Sequence, residues 1–134
     1  MKALFHIAAI AASFMVGMPG WAAEVLSKQI AARTELHQIQ TLTLSDRQFL
    51  KGDHGGKPVT IAAEFRIAQG SGRLPVVVLQ HGSGGFGANI EVWSKELNEL
   101  GISTFALDGF TGRGLTEVNT DQALLGRLNF ILDD

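Results

Sequence analysis

The chain has 134 residues, a formal charge of −2 and no cysteine, with 46% of its residues hydrophobic. That is the size of one small domain. The near-neutral charge offers no basic footprint for nucleic acid and no polybasic patch for a membrane surface, and the missing cysteines exclude disulfides and thiolate metal sites.

Met1-Lys2 is a short positive start. Ala3 to Val16 is mostly apolar, and Met18-Pro19-Gly20-Trp21-Ala22-Ala23 supplies a breaker and small residues. This layout predicts a secretory signal peptide over residues 1–22, cleaved after Ala22, and hence a secreted or periplasmic product with no stable membrane span after cleavage. The apolar run is interrupted and short for a span of about 20 residues. No twin-arginine pair is present, so export of an unfolded chain is expected.

Residues 23–57 form an N-terminal segment. Glu24 to Arg33 reads as weakly helical, and the partial alternation from Leu36 to Leu44 reads as a first strand. Lys51 to Pro58 has the composition of a loop. Val59 to Ile67 alternates cleanly, with Val59, Ile61, Ala63, Phe65 and Ile67 on one face. This predicts a half-buried antiparallel strand near a sheet edge. Gly70-Ser71-Gly72 then turns the chain. Val76-Val77-Val78-Leu79 is apolar without alternation, which predicts a strand buried on both faces, hairpin-paired with the strand before it.

Four glycines follow within six positions: Gly82, Gly84, Gly85 and Gly87. Asn89 is positioned to cap a helix from Ile90 to Leu100 with Trp93, Leu97 and Leu100 on its buried face. Ile102 to Leu107 predicts a strand parallel to the apolar one, ending at Asp108. A second glycine loop, Gly109 to Gly114, then shares the carboxyl edge of the sheet with the first, where α/β proteins bind ligands. Asp121 is expected to cap a last helix with Leu124, Leu128, Ile131 and Leu132 on one side. No internal repeat or low-complexity linker occurs.

Three readings of the first glycine loop follow. Gly82-Ser83-Gly84-Gly85-Phe86-Gly87 matches the G-x-G-x-x-G of dinucleotide sites, with Asp108 near the ribose-contact distance. An exported chain and an antiparallel strand ahead of the motif count against it. The second reading is an oxyanion loop, in which Gly82, Ser83 and Gly84 present backbone N–H groups to a developing negative oxygen. The third is a non-catalytic secreted fragment or binding module. His81 and Asp108 are expected to orient the loop rather than act on it. Arg113 is a candidate contact for a substrate carboxylate, although an exposed, solvated arginine is the plainer expectation. His37 and His54 have no partners at metal-ligand spacing.

From Pro58 to Asp134 the chain resembles the N-terminal half of a secreted protein of the dienelactone hydrolase family, an α/β hydrolase. The resemblance rests on Pro58-Val59-Thr60-Ile61, Gln80-His81-Gly82-Ser83-Gly84-Gly85, Trp93, Leu97-Asn98-Glu99-Leu100-Gly101-Ile102, and Asp108 with Phe110-Thr111-Gly112-Arg113-Gly114. It implies an antiparallel strand pair leading into a parallel sheet with crossover helices. It also implies hydrolysis of a small ester or lactone by a Ser or Cys nucleophile with Asp and His partners, without a metal or cofactor. No G-x-S-x-G or G-x-C-x-G occurs in the sequence. The expectation is therefore a truncated hydrolase domain over residues 58–134 that has the oxyanion loop, none of the triad and no activity alone. The strand from Ile102 to Leu107 would keep one edge unpaired.

Overall fold

The computed structural model describes residues 31–134. The expected signal peptide at 1–22 and most of the expected helix at 24–33 lie outside the described residues. Arg33 itself opens a strand.

The described chain forms a mixed four-stranded sheet with a few helices, an α/β arrangement. Strand β1 spans Arg33–Thr43 and β2 spans Lys57–Ile67. They pair antiparallel along their whole length, from Arg33 opposite Ile67 to Thr43 opposite Lys57. The intervening stretch is not all loop. Helix α1 (Asp46–Leu50) opens with a capping box: the Ser45 hydroxyl accepts from the Gln48 N–H, and the Gln48 side chain accepts from the Ser45 N–H. The Ser-x-x-Gln spacing is the sequence sign of such a box, although residues 45–50 carry no element in the sequence reading above. The expected loop ends at Gly56, because Lys57 and Pro58 already belong to β2.

Strand β3 is Val76–Gln80, helix α2 is Ala88–Glu99 and strand β4 is Ser103–Asp108. Strands β3 and β4 pair in parallel, as a βαβ unit requires. The strand order is β1-β2-β4-β3. Strand β2 is antiparallel to both β1 and β4 and lies next to the edge strand β1, as its alternation predicts. One expectation falls here: β2 does not pair with β3, because β4 lies between them. The hairpin is β1–β2 instead.

The outer position of β3 overturns its expected burial. Val76, Val77 and Val78 are 50%, 37% and 51% exposed. Strand β4 does lie inside the sheet, so the unpaired edge belongs to β3 and not to β4.

Helix α2 also differs. It begins at Ala88 with Gly87 as N-cap, two residues before the expected start, and Asn89 makes no cap. Its buried side is Ile90, Ser94 and Asn98, whereas Trp93 and Leu100 are 54% and 74% exposed. Small Ser94 allows close approach to the sheet, and the Asn98 amide donates to the Ile102 carbonyl at 2.9 Å, tying the helix end to β4. Asp121 does cap, but only the one-turn 3-10 helix Gln122–Leu124. Helix α3 (Asn129–Asp133) follows separately, and Leu124 and Ile131 are exposed rather than on a buried stripe.

The core sits at the carboxyl end of the sheet. Phe110, Val118 and Leu125 form a buried cluster, with Leu115 and Phe130 packed against it. Burying apolar side chains of this size contributes roughly 1.5–3 kcal/mol each. The cluster therefore anchors the segments that surround the two glycine loops.

Candidate functional site

Because β3 and β4 are parallel, the loops after them emerge on one edge of the sheet. The first runs from His81 to Gly87. Two of its carbonyls are held: Gly82 O accepts from the Gly85 N–H at 3.1 Å and from His81 Nδ1 at 2.8 Å, and Ser83 O accepts from the Val118 N–H at 2.8 Å. Across a trans peptide the N–H points opposite to the carbonyl, and the described residues contain no cis bond. The N–H groups of Ser83 and Gly84 therefore point away from those partners. Among the described residues neither donates a hydrogen bond, nor does the Gly82 N–H. Two adjacent, pinned and unpaired backbone donors are the kind of feature from which anion-binding concavities are built.

Gly85 makes this turn possible. Its φ is +81°, in the left-handed region, and a Cβ there would lie 2.1 Å from Thr116 O. Gly82, Gly84 and Gly87, the positions of the dinucleotide motif, face no crowding: a Cβ at Gly84 would meet only Asn119 Nδ2, at 3.9 Å, and at the other two nothing within 4 Å. The close backbone approach that the motif uses glycine for falls on a residue the motif leaves unspecified.

His81 is buried. Its ring packs against Phe110 at 4.4 Å and Phe130 at 5.6 Å between centroids. Nδ1 lies against the Gly82 carbonyl, so the imidazole braces the loop it precedes. Nε2 is buried without a hydrogen-bond partner among the described residues and lies 3.9 Å from Asp108 Oδ1. No serine oxygen is within hydrogen-bond reach of the ring among the described residues, so His81 and Ser83 do not form a base–nucleophile pair.

Asp108 closes β4 and holds the second loop. Its Oδ1 accepts from the N–H groups of Phe110 and Thr111, both at 3.0 Å. Burial pushes its carboxyl up, but the hydrogen bonds from Thr111 and Phe110 and the facing His81 outweigh that, and its pKa is lowered from the ordinary 3.8.

Arg113 is neither exposed nor open to a substrate. Its Nε donates to Thr43 Oγ1, one terminal nitrogen to Gly109 O and Asp133 Oδ2, and the other to Leu42 O and Asp133 Oδ1, at 2.6–3.0 Å. A guanidinium has five N–H donors, and all five are used. Thr41 Oγ1 also donates to Asp133 at 3.0 Å. The result is a buried staple joining β1, the second loop and α3. Gly112 permits it by seating the loop on β2, where a Cβ would lie 2.0 Å from Thr60 O. Asp133 is the residue that the sequence reading missed. An acidic residue near the end of a helical pattern gives no signal of a buried partner 20 positions away.

A cleft of about 330 Å³ opens beside Ser83, walled by Phe110, Val118, Leu125 and Phe130, with Gln122 and Arg127 polar. A larger cleft, about 530 Å³, runs toward Ser45 and Asp46. It lies away from the free donors, and Asp46 already accepts from the Leu128 N–H. No group of three or more His, Cys, Asp or Glu that could hold a metal ion occurs among the described residues. None of their helices is long and apolar enough to cross a membrane.

Comparison with known protein families, curated proteins and solved structures gives no match to this chain.

Proposed function

We propose that the His81–Gly87 loop is an oxyanion-stabilising loop of an exported, dienelactone hydrolase-like α/β hydrolase acting on a small ester or lactone, and that this chain holds the loop but not the nucleophile. The observation that carries the reading is the pair of unpaired N–H groups at Ser83 and Gly84, fixed because their peptide carbonyls are bound to His81, Gly85 and Val118. Acyl transfer needs donors of this kind, preorganised before charge develops. The place of the loop is also supportive. It follows the third strand in chain order and leads into the first long helix, where α/β hydrolases keep one oxyanion donor. An antiparallel β1–β2 pair ahead of a parallel β3–β4 pair agrees with the start of that fold. The apolar cleft beside Ser83 is the size of a small acyl or lactone group.

Ser83 is a donor of its N–H, not a nucleophile. In the serine-protease template, an oxyanion hole and binding alone retain only about 10³–10⁴-fold over water, and in α/β hydrolases the second donor follows a nucleophile that this sequence lacks. The chain alone is expected to hydrolyse p-nitrophenyl acetate no faster than its Ser83→Ala variant. Turnover well above background that Ser83→Ala abolishes contradicts the reading. Calorimetric titration with NAD and NADP is expected to show no binding. Saturable micromolar binding lost in Gly84→Val would instead establish the dinucleotide site. Export is tested separately: extracytoplasmic material should begin at Ala23 or Glu24, and an intact Met1 there contradicts signal cleavage.

A further inference from the structure

His81 is a buried histidine set between two oxygen acceptors. Its Nδ1 lies 2.8 Å from the Gly82 carbonyl oxygen, and its Nε2 lies 3.9 Å from Asp108 Oδ1. A neutral imidazole has one N–H and one bare lone pair. With the proton on Nδ1, the Nε2 lone pair faces a carboxylate. With the proton on Nε2, the Nδ1 lone pair is pressed on a carbonyl. Neither tautomer satisfies the ring, and Nε2 is buried with no hydrogen-bond partner among the described residues. An imidazolium donates from both nitrogens and meets an acceptor at each.

The two acceptors belong to different loops. Gly82 O sits in the first loop, beside the free Ser83 and Gly84 donors. Asp108 holds the second loop through the N–H groups of Phe110 and Thr111. It is the only carboxylate within 4.0 Å of the ring nitrogens among the described residues. The ring is otherwise walled by Phe110 and Phe130, where a charge needs a partner. Other charges nearby are committed or solvated. The first loop carries none between Arg73 and Glu91, and Glu91 is bonded to Arg66 and Lys95. From α3, Asp133 is neutralised by Arg113. Glu117, beside Val118, accepts from the Asn119 N–H at 2.7 Å. Arg127 lines the Phe110–Phe130 cleft and is exposed.

We propose that His81 is a proton-controlled latch between the two loops: on taking a proton at Nε2, the ring closes on Asp108 while Nδ1 still holds Gly82 O. The proton comes from solvent and adds to a lone pair, so no bond breaks. Closing needs a movement of about 1 Å, to the ~2.8 Å of a charge-assisted bond. The latched ring carries a positive charge next in sequence to the loop donors, in surroundings of low dielectric, and so strengthens anion binding at the Ser83 and Gly84 N–H groups. That consequence rests on the oxyanion reading; the latch itself does not. His81 is then a positioning residue for the site and takes no part in the chemistry.

Ring-nitrogen and amide chemical shifts of the chain, followed from about pH 8 to about pH 5 where histidine titrates, test the latch. The His81 ring should pass from one protonated nitrogen to two. The Phe110 and Thr111 amides, which share Asp108 Oδ1, should titrate with the same midpoint, and in Asp108→Asn the ring midpoint should fall to lower pH. Methanesulfonate, a tetrahedral monoanion whose charge is constant over this range, probes the donors. It should bind at Ser83 and Gly84 a few-fold more tightly at the acid end. His81→Gln, whose side chain does not titrate, should lose that pH dependence, which separates it from any share of the exposed His37 and His54. A ring whose protonation does not change, Phe110 and Thr111 amides that ignore its titration, or methanesulfonate affinity equal at both ends overturns the proposal. If His81→Gln does not fold, the parent spectra decide. Methanesulfonate that binds at neither end, with ring and amides titrating together, overturns the oxyanion reading and leaves the latch standing.

Discussion

The two ends of the βαβ unit are built to different standards. At the carboxyl edge most polar groups are matched: Arg113 uses five donors, Asp108 holds Phe110 and Thr111, and the Gly82 and Ser83 carbonyls are taken, while His81 Nε2 is buried without a partner among the described residues. The apolar cluster of Phe110, Val118 and Leu125 lies beneath. Along the β3–α2 flank the valines, Trp93 and Leu100 meet solvent, and Thr104 Oγ1, Ser94 Oγ and the Gln80 amide are buried without partners among the described residues. Rigidity therefore resides where the unpaired Ser83 and Gly84 donors are held. Preorganised donors need such rigidity.

The largest effect is expected from cutting the staple. Arg113→Ala leaves Asp133 buried without its counter-ion, with only the Thr41 hydroxyl still donating to it, and should cost about 3–5 kcal/mol, read from the urea midpoint at constant slope. Arg113→Lys should recover only part, because an ammonium cannot fork to two oxygens. Little change in either variant would put the rigid end elsewhere. Gly85→Ala comes next. The left-handed φ and the Thr116 carbonyl together should cost about 1–3 kcal/mol, and exchange should accelerate at Val118, whose N–H holds the loop through Ser83 O. A neutral Gly85→Ala would mean that the loop is not pinned there.

Asp108→Asn is expected to act through pH. The folded carboxyl lies below its ordinary value of 3.8, so its contribution is complete above that pH and is lost as pH falls through 3.8 toward the lowered value. The variant should lose that part of the acid limb and differ most from the parent at neutral pH. Parallel acid limbs would remove the aspartate from the brace. Smallest of all, Trp93→Ser on the exposed side of α2 should change monomer stability by no more than about 0.5 kcal/mol. A larger loss would show that the flank is covered.

What the sequence makes legible is local. The alternation from Val59 to Ile67 marks β2, the valine run marks β3, and the glycines mark the two loops at the sheet edge. Neighbourhood in the sheet is not local. Strand β4 pairs between β2 and β3, so closeness in sequence misassigns the hairpin, and burial on both faces is misread for a strand at the edge. Helix α2 misleads for a related reason. Its apolar residues suggest one face, but small Ser94 and self-satisfied Asn98 are the ones that reach the sheet. Arg113 illustrates the limit most clearly. Its partners Thr43 and Asp133 stand 70 and 20 positions away, and no spacing rule connects them.

If Ser83 and Gly84 hold free backbone donors for a developing oxyanion, a tetrahedral anion added to the chain should bind to both. Titration of the isotope-labelled chain with methylphosphonate, a tetrahedral anion, followed by amide chemical shifts, tests it most directly. The Ser83 and Gly84 protons should move downfield together and saturate. Those of Gly85 and Val118, already bonded to Gly82 O and Ser83 O, should stay nearly still. No saturable shift at Ser83 and Gly84, or larger shifts at sites remote from the loop, would contradict it.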